Sequence, residues 1–274
     1  MRQFKLGLIA TALLSAAAVQ ASPVVVGNTS ATDLANAIAG SGITISNAVF
    51  STDSTGTLGD VAGTFTNGGG AATGVGFNNG IVLTTGTIAC AGGTNTTSSC
   101  GSDAAGASAT FSSLKFDFTS TSGQIFFNYV FGSDEYNEFV NQGFNDQFEL
   151  LLNGVNIAQL PGAGGVVSID NVNCGSNNSF YRNNEASVTS CPFANLDVQY
   201  DGMTTVLTAN ASLLAGTNTF EFRIFDRGDS FYDSGVYIKA GSFSSTNPDL
   251  PEPASVALVG LALAAAGLAR RKAA

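Results

Sequence analysis

Apolar and polar residues alternate with a period of two over much of this chain, which sends successive side chains to opposite faces of a β-strand. The pattern predicts strands in ITISNAVF from Ile43, VAGTF from Val61, GIVLTTGTI from Gly80, FSSLKFDF from Phe111 and QIFFNYVF from Gln124. It continues in QFELLL from Gln147, VNIAQL from Val155, VVSI from Val166, TTVLTA from Thr204, TFEFRIF from Thr219 and GVYIKAGSF from Gly235. Asn153-Gly154 between two apolar runs is a strong hairpin signal, because both residues tolerate positive φ. One segment departs from the period. DLANAIA, capped by Thr32 or Asp33 and stopped by Gly40, predicts a short helix with Leu34, Ala37 and Ile38 against the sheet. The expected fold is therefore all-β: an antiparallel β-sandwich or jelly-roll-like domain with one short N-terminal helix. Phe116, Phe118, Phe148, Phe220 and Phe222 lie at alternate positions and read as its core rather than as a platform for stacking sugars.

Both ends break the pattern. Arg2 and Lys5 precede an apolar run from Leu6 to Val19, and Val19-Gln20-Ala21 offers small residues for cleavage. Residues 1–21 thus read as a secretory signal peptide cut after Ala21. At the other end Pro251-Glu252-Pro253 is followed by an uncharged stretch, 254–269, and then by Arg270, Arg271 and Lys272. Such a stretch spans about 24 Å as a helix, a little less than the ~30 Å hydrocarbon core. It reads as a single transmembrane sorting helix, inserted transiently or kept as an anchor, with the basic cluster on the cytoplasmic side. Residues 22–243 are then the domain, 244–250 a linker and 251–274 the sorting tail.

Charge narrows the partners. Between residues 22 and 250 stand five basic and nineteen acidic side chains, a balance of −14 against −10 for the whole chain. Nucleic acid is excluded as a partner, since phosphate binding needs clustered Lys and Arg. Divalent cations and basic surfaces fit better. Four cysteines allow three pairings, of which the local one, Cys90 with Cys100 and Cys174 with Cys191, suits an oxidising compartment.

The chain has no histidine, which removes Ser-His-Asp and Cys-His catalysis and every His-ligated metal site. The acidic stretch FGSDEYNEFVNQGFNDQFEL, from Phe131, carries Asp134, Glu135, Glu138 and Asp146 and no Lys or Arg. A second stretch, DRGDSFYD, adds Asp226, Asp229 and Asp233. Two readings compete. Calcium takes six to eight oxygens of this kind, though neither stretch has the EF-hand spacing. Alternatively, Asp and Asn simply favour solvated turns, with Arg223 and Arg227 available as partners. A pair of these carboxylates also leaves room for a secreted polysaccharide-active enzyme, the alternative to a non-enzymatic protein. Arg227-Gly228-Asp229 reads as a chance tripeptide.

The tail, with its order of PEP, apolar helix and basic cluster, resembles the PEP-CTERM sorting signal of Gram-negative bacteria. That resemblance implies processing by an exosortase-type membrane protease and delivery to the cell surface, often alongside exopolysaccharide. DLANAIAGSGITISN, GFNNGIVLTTG, the acidic stretch and DRGDSFYDSGVYIKA, in that order, resemble the choice-of-anchor L domain, a bacterial surface module joined to different anchoring tails. The resemblance implies an extracellular β-rich domain and no defined activity. The expected protein is an exported surface or matrix module, adhesive or structural in exopolysaccharide or biofilm, with calcium as its candidate ion.

Overall fold

Two antiparallel sheets pack face to face over the residues that the computed structural model describes, which are 22–53, 57–97, 100, 111–229 and 231–247. The signal peptide with its cut after Ala21, the PEP motif, the apolar stretch 254–269 and the basic cluster lie outside these residues. Among the described residues no helix is long and apolar enough to cross a membrane.

The chain runs β1 (Val24–Gly27), α1 (Ala31–Ile38), β2 (Ile43–Thr52), α2 (Leu58–Val61), β3 (Ala62–Thr66) and β4 (Gly80–Thr84). Then come β5 (Phe111–Ser120), β6 (Gln124–Ser133), β7 (Gln147–Leu152), β8 (Val155–Asn156) and β9 (Val167–Ser168). The last strands are β10 (Tyr181–Asn183), β11 (Gly202–Thr204), β12 (Leu207–Ser212), β13 (Asn218–Phe225) and β14 (Ser234–Lys239). The larger sheet has the order β1-β3-β4-β14-β6-β11-β10, with β12 sharing the free edge of β6. The smaller has the order β2-β5-β13-β7-β8, with β9 on β7. The all-β antiparallel expectation is met, and the hairpin at Asn153-Gly154 has φ of 50° and 85°.

The helix begins earlier than its sequence suggests. Ser30 is the cap, its side chain accepting from the Asp33 N–H at 3.1 Å, so Thr32 and Asp33 fall inside the first turn. Leu34, Ala35 and Ile38 are the residues it buries.

The inner faces meet in a phenylalanine layer. Phe116, Phe118, Phe148, Phe220 and Phe222 are fully buried. Phe127 of the larger sheet meets Phe220 and Phe222 edge-on at 5.8 and 5.7 Å. A second apolar cluster covers the outer face of the larger sheet, where Val82, Val130 and Tyr237 pack with Phe65, Val75, Leu196, Val198, Tyr200 and Met203. β4, β6 and β14 are therefore buried on both faces. That is why GIVLT, QIFFNYVF and GVYI read as nearly continuous apolar runs, while β7 and β13 alternate cleanly.

Strand register positions the acids. β14 pairs with β6 so that Ser234 faces Ser133, and β13 pairs with β7 so that Phe225 faces Gln147. Asp134 and Asp233 are thus the next residues beyond one paired end, and Asp146 and Asp226 the next beyond the other. Each sheet ends in a pair of carboxylates.

Candidate functional site

The two pairs belong to one cluster. In the larger sheet the Asp134 N–H donates to the Asp233 carbonyl at 3.0 Å, which extends the ladder by one step. Across the sandwich the Ser234 hydroxyl donates to Asp146 Oδ2 at 2.6 Å, and the Arg227 N–H donates to Asp146 Oδ1 at 2.7 Å. Asp146 is thus fixed by two hydrogen bonds from the stretch that joins β13 to β14 and the first residue of β14. Glu135 follows Asp134, its N–H held by the Ser133 hydroxyl at 2.9 Å. Gly86, just past β4, makes room for the fourth acid: a Cβ there would collide with the Asp233 carboxylate.

Burial is the unexpected feature. Asp134, Glu135, Asp146 and Asp233 have no accessible surface, and Asp226 keeps 5%. Asp229 is half-buried, and Glu138 is exposed, its carboxylate capping the Asn137 N–H at 2.8 Å. The solvated-turn reading therefore holds for Glu138 and for Asp229, whose Oδ1 accepts from the Phe231 N–H at 2.9 Å. Among the described residues, both oxygens of Glu135, both oxygens of Asp226 and Oδ1 of Asp134 have no hydrogen-bond partner. The expected arginine partners turn elsewhere. Arg223 pairs with Glu149 and Glu221 at 3.7 and 3.1 Å, and the Arg227 guanidinium lies 4.2 Å over the Phe225 ring.

Carboxylates without solvent or counter-charge hold protons tightly. Burial first, then the charges of Asp146, Asp229 and Glu138, push Glu135 up to about 9. Asp226 rises to about 10, by burial and then by Asp146, Asp229, Asp233 and Glu135. Burial lifts Asp146 to about 8 against the two hydrogen bonds it accepts. Asp134 is raised well above the usual range by burial and by Asp201, although the Cys100 N–H bonds its Oδ2 at 3.0 Å.

Asp201 was not among the expected site residues. It is 1% exposed, its Oδ1 accepts from Asn95 Nδ2 at 2.6 Å, and its Oδ2 has no partner. A lone Asp-Gly dipeptide signals a turn and nothing more, so only the fold reveals that it faces Asp134. The Tyr136 hydroxyl, fully buried beside the cluster, also lacks a partner. In this geometry no three Asp, Glu, Cys or His side chains among the described residues meet as a group that would hold a metal.

The cysteines pair locally, Cys90 with Cys100 and Cys174 with Cys191, with Cα atoms 5.5 Å apart in each. Each disulfide ties down a loop near the cluster. Cys100 carries the N–H that holds Asp134, and Cys174 Sγ lies 3.5 Å from Asn137 Oδ1.

A family model described as the choice-of-anchor L domain matches residues 23–244. The chain belongs to this family. The choice-of-anchor L domain thus spans both sheets and every buried acid of the cluster. A second model, the PEP-CTERM protein-sorting motif, matches residues 249–272. It is a sorting signal of the kind exosortases recognise, and it implies export with membrane-associated sorting. Neither the curated proteins nor the solved structures yield a match.

Proposed function

We propose that this choice-of-anchor L protein is a non-enzymatic module of the outer surface or extracellular matrix of a Gram-negative bacterium, adhesive or structural in exopolysaccharide or biofilm. The observation that carries the reading is the arrangement of the two matched regions. One domain fills residues 23–244, and a sorting motif follows at 249, so the tail's cargo is the sandwich itself. Two disulfides suit a life outside the reducing cytoplasm. The balance of −14 between residues 22 and 250 suits cationic or cation-bridged neighbours.

The burial of the acids weighs against the rival reading. A glycosidase needs two carboxylates flanking an open sugar site about 5–10 Å apart. Here Asp134, Glu135, Asp146 and Asp233 have no accessible surface, and Asp226 keeps 5%.

The test is made in a producing strain. Removing residues 249–274 should release the protein into the medium and deplete it from surface and matrix fractions. Deleting the exosortase should retain the unprocessed chain in the membrane. A matrix role predicts weaker biofilm retention in both strains. Unaltered fractionation after tail removal would defeat the sorting account, and glycan hydrolysis by the purified protein would defeat the non-enzymatic one.

A further inference from the structure

The strongest unexplained feature is a set of carboxyl groups sealed at one end of the sandwich. Glu135 and Asp226 are buried, come from different sheets and, among the described residues, have all four carboxylate oxygens without a partner. The charge of Asp146 acts on both. Among the described residues no salt bridge reaches them: Arg223 is engaged by Glu149 and Glu221, and the Arg227 guanidinium lies over Phe225. An unneutralised buried carboxylate is costly, and buried charges are paired or coordinate metals.

We propose that Glu135, Asp146 and Asp226, with Asp233 alongside, hold a calcium ion that clamps the ends of the two sheets together. The ligand atoms are all hard oxygens, and the chain offers no histidine and no free thiol, so zinc and copper are poorly served. Magnesium demands near-octahedral geometry and keeps several of its waters, which a closed site between loops accommodates badly. Calcium accepts irregular sets of six to eight oxygens. The mobility needed to complete the set is built in unevenly. Asp146 is locked by Ser234 and Arg227, whereas no hydrogen bond holds the carboxylates of Glu135 and Asp226. These two swing to an ion docked on Asp146. Backbone carbonyls of the same loops supply the remaining oxygens.

This inference is independent of where the protein is sorted. Its test takes the full chain, disulfides formed, stripped with chelator and melted near neutral pH with and without millimolar calcium. A ligand confined to the folded state at about a hundred times its dissociation constant shifts a domain of this size by several degrees. Calcium should give that rise and magnesium at equal concentration should not. Terbium, a calcium mimic, should show emission sensitised through buried Tyr136 and lose it as calcium is added.

Glu135→Gln and Asp226→Asn keep the shapes and remove the charges. Each should weaken calcium binding about tenfold or more, yet melt in chelator no lower than the unchanged protein. That second readout separates a ligand from a merely structural residue. Glu138→Gln, on the exposed side, should leave binding unchanged. Absence of both a calcium-dependent shift and terbium emission would overturn the proposal. So would a full calcium response in the Glu135→Gln, Asp226→Asn double variant.

Discussion

At the scale of single residues, glycine positions show how tightly the carboxylate end is packed. Gly86 has no room for a methyl group, since Asp233 occupies it, whereas a Cβ at Gly70 would meet nothing within 4 Å. Gly86→Ala should therefore cost about 1–3 kcal/mol, the usual penalty for overpacking, and Gly70→Ala should fall within a few tenths of neutral. Urea midpoints at unchanged slope would measure both. An equal response of the two variants would mean that Asp233 is not held where the structure has it. Gly202 and Gly235 repeat the theme, approached by the rings of Tyr136, Tyr181 and Tyr200. None of this spacing is visible in the sequence, because a glycine that makes room looks the same as one that makes a turn.

At the scale of elements, the long strands were legible, and among the short ones β8 and β9 were but β10 and β11 were not. β5, β6, β7 and β13 announce themselves by alternation or by apolar runs of six residues or more. β10 and β11, with three residues each, are defined only by what they pair with. The acidic stretches were legible as a chemical oddity. Their convergence was not, because it depends on the register of β6 with β14 and of β7 with β13. Asp201 was missed for the same reason. Burial of Phe220 and Phe222 between the sheets predicts a loss of about 3–5 kcal/mol for either Phe→Ala, read by denaturant unfolding. The disulfides make a different prediction. Closing loops of this length restrains the unfolded chain by roughly 3 kcal/mol each, so reduction should lower the melting temperature. Loss of Cys90–Cys100 should also loosen the Cys100 N–H from Asp134. Replacing Cys90 and Cys100 with serine should then weaken terbium emission more than replacing Cys174 and Cys191.

At the scale of the whole molecule, the buried acids set a pH dependence. Asp146, Glu135 and Asp226 titrate near 8, 9 and 10 in the folded chain, against about 4 when unfolded. Between those limits the folded state binds more protons than the unfolded one, so stability falls as pH rises. In chelator, the melting temperature should drop steadily from about pH 5 to pH 8. Saturating calcium should flatten that slope, because the ion replaces the protons. A melting temperature that climbs over the same range in chelator would contradict the burial of these groups.

The position of β14 has a consequence in time. It is the last strand of the chain, yet it sits between β4 and β6 in the middle of the larger sheet. A protein threaded outward from its N-terminus cannot close that sheet until residue 239 has emerged, and by then the sorting motif at 249 is almost at the membrane. Folding and sorting are thereby brought into step. Until the final strand arrives, the exported chain has a gap where its centre belongs, and two of its four strand-end acids, Asp226 and Asp233, come out only just before it. The domain completes itself only once its last strand is out, so a chain that stops short of residue 234 keeps its larger sheet open at the centre.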